Sequence, residues 1–153
     1  MNIENLVSEL KALQLFADKN ESEFKRIIRV LNQYFDGATI IEEFFILSEV
    51  DLLDNDDYLI IFVVENKKLL EISFNTLEAR VDILPLSTIR RIEITEAEAQ
   101  KKDGMVTPPI FTIKIYHDAG TGAPVITGVA AEGNEVSKLK KFTEKIRKKV
   151  LSM

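Results

Sequence analysis

The sequence predicts an α+β fold: a seven-stranded antiparallel barrel or sandwich capped by a C-terminal helix, with an N-terminal helical hairpin ahead of it. Three observations predict it. Apolar residues recur at helical spacing over residues 3–36, the period shortens to two after Ala38, and helical spacing returns after Asn134. At 153 residues the chain has the size of one domain with a small appendage. The expected division is a helical extension at 1–36 and a strand-rich body at 37–153.

Over residues 3–17 the apolar positions are Ile3, Leu6, Val7, Leu10, Leu13 and Phe16, a stripe along one helical face. Asn20 followed by Glu23 has the spacing of a capping box opening a second helix. That helix carries Phe24, Ile27, Ile28, Leu31 and Phe35, and Gly37 is placed to stop it. Short amphipathic helices are marginal alone in water, so each stripe needs a surface to cover. A barrel closed by its own helix has little core to spare. The hairpin must cover the barrel, pair across a dimer or await a partner, and the shortage of spare core favours an intermolecular contact, a homodimer through residues 1–36.

Strands are expected at 39–47, 58–65, 69–75, 78–84, 88–95, 110–116 and 125–131, all rich in β-branched and aromatic residues. The run Leu59-Ile60-Ile61-Phe62-Val63-Val64 has the length of a buried strand. Asn66-Lys67 and Asn75-Thr76 read as tight turns, Pro85 breaks the chain, and Gly120, Gly122 and Pro124 mark a loop. Residues 95–109 read as one long polar connection ending in Pro108-Pro109. Asn134 is placed to cap the last helix. Its apolar face is Val136, Leu139, Phe142, Thr143, Ile146 and Val150, with Lys138, Lys141, Lys145 and Lys148 roughly opposite.

Seven strands followed by one helix resembles the pleckstrin-homology-like superfamily. The stretch from Leu70-Glu71-Ile72-Ser73-Phe74 through Ile83-Leu84-Pro85-Leu86-Ser87-Thr88-Ile89 and on to Ile94 is similar to bacterial members, where a strand leads through an "(I/L)PLxxI" turn into an alternating strand. The resemblance covers about residues 38–153. It implies two nearly orthogonal sheets plugged at one corner by the helix, and a binding module for lipid headgroups, peptides or protein surfaces. Phosphoinositide-binding members hold the headgroup with lysines and arginines in the first strand-joining loop. Here residues 48–57 carry Glu49, Asp51, Asp54, Asp56 and Asp57, five carboxylates that would repel a phosphorylated headgroup.

Composition narrows the remaining classes. A hydrophobic fraction of 46% excludes disorder, and no apolar run is long enough to span a bilayer. The absence of cysteine excludes disulfides and thiolate metal sites and suits a reducing cytosol, so the expected location is cytoplasmic. Residues 134–153 carry +5 of a net charge of -5, leaving -10 on the rest. An acidic body argues against nucleic acid, whose binding is dominated by phosphate contacts.

No catalytic, cofactor or metal set is expected. Asp54 and Asp56 match two positions of an EF-hand-like loop, but Leu59 stands where its glycine must be. His117 is the single histidine, and Asp118 beside it points elsewhere in an extended chain. Gly120-Thr121-Gly122 lacks the lysine and helix of a phosphate loop. The expected function is a non-catalytic interaction module binding a protein or peptide. Its candidate contacts are Arg90, Arg91, Lys138, Lys141, Lys145 and Lys148. The alternatives are a peripheral binder of anionic lipid, or an enzyme or small-ligand carrier with a pocket assembled from distant residues.

Overall fold

The computed structural model describes residues 1–13, 21–48, 57–118 and 124–153. Among them are three α-helices and nine strands, arranged as open sheets of four, three and two strands. None closes into a barrel. The expected break at Pro85 is where continuity ends: the ring nitrogen has no N–H to donate, and a 3-10 turn, Leu86–Thr88, follows it. The chain divides into two compact units, Met1–Asn66 with Leu70–Asp82, and Lys67–Leu69 with Ile83–Met153.

In the first unit, α1 (Ile3–Lys11) opens on a capping box made by Asn2 and Asn5. Helix α2 (Glu21–Tyr34) follows; the expected cap at Asn20 and the apolar Phe16 lie outside the described residues. α2 ends before Gly37 because Asp36 takes over: its carboxylate accepts the Ala38 N–H at 2.8 Å and its carbonyl accepts that of Thr39. Strand β1 (Glu43–Leu47) pairs antiparallel with β2 (Leu59–Glu65), followed by β3 (Lys68–Phe74) and β4 (Ala79–Pro85) in the order β1-β2-β3-β4. Asn66 and Lys67 both take positive φ, the conformation a two-residue hairpin needs.

One face of this sheet packs on both helices. Ile3, Leu6 and Leu10 of α1, with Ile27 and Leu31 of α2 and then Phe35, join Leu59, Ile61, Val63, Leu70, Ile72 and Phe74 in a single buried cluster. The stripes expected to meet a second copy are thus covered within the chain, because the sheet offers more apolar face than a helix-closed barrel would. Phe62 and Val64 alternate with the cluster residues and are buried too, so β2 is buried on both faces, as its unbroken apolar run requires.

In the second unit, β5 (Ile89–Ala97), β8 (Ile110–Asp118) and β9 (Pro124–Glu132) form an antiparallel sheet in the order β5-β8-β9. Residues 95–109 are not one loop. They complete β5 and then form a second hairpin, β6 (Gln100–Lys102) and β7 (Met105–Thr107), around Asp103-Gly104 with φ of 53° and 79°. Helix α3 (Val136–Leu151) buries Leu139, Phe142, Thr143 and Ile146 and lies against β8, β9 and the Leu86–Thr88 turn. Asn134 does not cap it. A 3-10 turn, Gly133–Glu135, carries the chain into the helix, which starts at Val136 with Glu135 in the cap position and no side-chain bond. The Thr143 hydroxyl donates to the Leu139 carbonyl at 2.7 Å, so its burial leaves no orphan group.

Phe142 is completely buried in the face that docks α3. Phe142→Ala should cost about 3–5 kcal/mol, the loss expected for an unfilled phenylalanine site. Urea melts of both proteins measure it, and a loss below about 1 kcal/mol would show that this face does not dock the helix.

Candidate functional site

Strand β5 is an edge. Among the described residues it pairs only with β8, so the N–H and C=O groups on its other side have no ladder partner. A one-residue register shift between Ile89 and Arg91 marks a β-bulge at its start. There Arg90 meets Asp118 at 2.7 Å, and the Arg91 guanidinium stacks 4.9 Å from the centre of the Tyr116 ring. The Tyr116 hydroxyl donates to Glu93 at 2.8 Å, and this bond to a carboxylate holds the phenol above its ordinary pKa.

The two faces of the edge differ. In register with Ile115, Ile113 and Phe111 of β8 stand Ile92, Ile94 and Glu96. The β8 residues are at most 3% exposed, whereas Ile94 is 45% exposed and Ile92 half-buried. α3 lies on β8 and β9, leaving the same face of β5 partly uncovered. Lys140 reaches over: its ammonium sits 5.6 Å from the Phe111 ring centre and 2.8 Å from Glu96. The result is an apolar step beside an unpaired backbone, the arrangement that accepts an added strand.

Beyond Ala97 the edge continues. The pairing Ala97↔Ile110 is followed, three residues further on each strand, by Gln100↔Thr107, Lys101↔Val106 and Lys102↔Met105. The register is unchanged, so β5–β8 and β6–β7 are one long hairpin interrupted where Pro108 and Pro109 lack N–H donors. Its tip is clasped by the Thr107 hydroxyl, which accepts from the Gln100 N–H and donates to the Gln100 carbonyl, both at 3.1 Å. All its residues are exposed, Met105 by 74% and Val106 by 68%.

The expected contact residues do not form one patch. Arg90 and Arg91 sit on the β5 bulge. Lys138 pairs with Glu135 and Arg147 with Glu144 along α3, where Lys141 and Lys148 are exposed and Lys145 half-buried. Lys140, Ile92 and Ile94 are not among the contacts that charge and helical spacing single out. Their signal is three-dimensional: it depends on which strands the helix covers.

Elsewhere the polar side chains form local networks, in which the buried Arg26 Nε and Asp57 Oδ1 are left without a hydrogen-bond partner among the described residues. The Arg26 guanidinium donates to Glu23, to the Tyr58 hydroxyl and, in a short bond, to the Asn75 carbonyl, while Tyr58 donates to Glu23. Burial first, then the Glu23 bond, raises the Tyr58 pKa. In the acidic segment 48–57, residues 49–56, including Asp54 and Asp56, lie outside the described residues. Asp57 is described: its side chain, 3% exposed, meets Arg80 at 2.6 Å. His117 is half-buried and hydrogen-bonded to Thr127 at 3.1 Å. Gly120-Thr121-Gly122 also lies outside the described residues. Among those described, no group of three or more acidic or histidine side chains is placed to hold a metal ion, and no helix is long and apolar enough to cross a membrane.

A cleft of about 400 Å³ is lined by Lys67, Leu86, Ser87, Lys149, Ser152 and Met153. These side chains offer cations and hydroxyls but no histidine or carboxylate to act as a base. In comparisons with known proteins, no family model, no curated protein and no solved structure matches this chain.

Glu71 on β3 is a carboxylate whose surroundings disfavour its charge. Burial raises its pKa, the charges of Asp82 and Asp57 raise it further, and Arg80 offsets them only in part. Because the folded state holds this proton more tightly than the unfolded chain, stability falls as pH rises from the ordinary glutamate range through the raised value. Glu71→Gln should therefore melt higher than the parent at pH 7, with the gap closing in acid where both side chains are neutral. Equal melting at pH 7 would contradict this placement of Glu71.

Proposed function

We propose that this chain is a non-catalytic interaction module that binds a protein segment or peptide in extended form along β5. The observation that carries the reading is the free β5 edge, with Ile92 and Ile94 left partly uncovered beside α3. Unpaired N–H and C=O groups supply affinity for any extended backbone, and the apolar step selects the side chains that alternate along it. The succession of four strands, a proline-containing turn, the β5-β8-β9 sheet and a C-terminal helix supports the resemblance to pleckstrin-homology-like binding modules.

A random-peptide phage library panned against the full chain tests the reading. Synthetic copies of the enriched peptides should shift amide resonances of Ile89–Ala97, and Ile94→Asp should weaken them about tenfold or more, because it places a charge on the apolar step. Ile94 is exposed enough for this variant to fold, which its melting curve verifies. Shifts confined to the Lys145–Lys148 face of α3 or to the Lys67–Lys149 cleft would contradict the reading.

A further inference from the structure

The free edge is longer than β5. Since β6 continues the hairpin in register, one side of it runs from Ile89 to Lys102, with a break in the strand at Glu98 and Ala99. Its charges are ordered. Arg90 and Arg91 stand at one end and Lys101 and Lys102 at the other, while the stretch between them carries Ile92, Ile94 and the carboxylates Glu93, Glu96 and Glu98. Glu93 and Glu96 are engaged by Tyr116 and Lys140. Among the described residues neither Lys101 nor Lys102 has an ion-pair partner, and both are exposed.

We infer that the occupant of this edge is an extended peptide, acidic at both ends and uncharged or apolar between them, and that the β6–β7 arm holds one of those ends through Lys101 and Lys102. The inference rests on the strand-addition reading above and adds the occupant's chemistry. Charge complementarity carries it. A carboxylate at either end meets a cation pair, whereas one in the middle meets carboxylates and is repelled. The ion pairs at the Arg end are exposed, and such pairs are worth little, so a partner's carboxylate can compete for the same guanidinium groups.

The arm suits this role because its order does not come from a core. A two-stranded hairpin is marginal alone, yet this one is shaped by Asp103-Gly104 and the Thr107 clasp. A hairpin shaped beforehand loses less freedom on binding. From Arg91 to Lys101 an extended chain spans about 33 Å, which sets the spacing of the acidic ends at about ten residues.

Two fluorescein-labelled synthetic peptides test it by anisotropy with the full chain. Both alternate valine and threonine over that length; one ends in paired aspartates, the other in paired asparagines. The aspartate-ended peptide should bind about tenfold tighter at low salt, with the advantage shrinking as salt rises. The double variant Lys101→Glu/Lys102→Glu should lose most of that advantage and bind the asparagine-ended peptide as the parent does. Equal binding of the two peptides, or an advantage that survives the double variant, overturns the inference while leaving strand addition standing. Absence of binding by either peptide overturns it as well, and the Ile94→Asp comparison then decides separately whether β5 is the docking strand.

Discussion

A single helix cannot cover three strands. With side chains an α-helix is about 10–12 Å across, and neighbouring strands lie about 4.8 Å apart, so one helix shelters roughly two. Among the described residues α3 is the one α-helix of its unit, and it lies on β8 and β9. That width mismatch leaves Ile94 nearly half exposed while Ile113, its register partner one strand away, is fully buried. The open edge, the uncovered apolar step and the reach of Lys140 to Glu96 all follow from where the helix runs out.

Edge strands that present free backbone invite unwanted pairing, and natural sheets guard them with charge, bulges and proline. This edge has two such devices. A bulge lies at Arg90, and lysines sit at the far end on β6. Neither masks the central Ile92–Ile94 stretch, so the edge is defended at its ends and open in the middle. The first unit shows the contrasting case. There α1 and α2 together cover one face of the sheet, and the bonds among Glu23, Arg26, Tyr58 and Asn75 tie α2 to the strand ends. Two helices supply the width that one lacks.

Much of the fold was legible because local rules and tertiary packing agree. The alternation of Phe111, Ile113 and Ile115 marks β8 and its buried face, and the spacing of Leu139, Phe142 and Ile146 marks α3. Departures come from local chemistry that was present but outweighed. Asp103-Gly104 is a hairpin signal set in a polar stretch with no apolar alternation to announce strands. Asn134 has a capping side chain, but the turn after Gly133, at φ 61°, delays the helix past it. Asp36 ends α2 before Gly37 is needed. The candidate site was less legible. Arg90 and Arg91 stand out by charge, yet Ile92 and Ile94 look like any core-facing pair until the path of α3 is known.

β5 is paired on one side only, and amide hydrogen exchange on the free chain reads this directly. In an antiparallel edge strand, successive N–H groups point alternately into the ladder and out of it. Along Ile89–Ala97 every second amide should be protected, while its neighbours exchange at rates near those of an unstructured chain. Uniform protection of β5, comparable to that of β8, would mean that its outer side is already occupied and that no free edge exists.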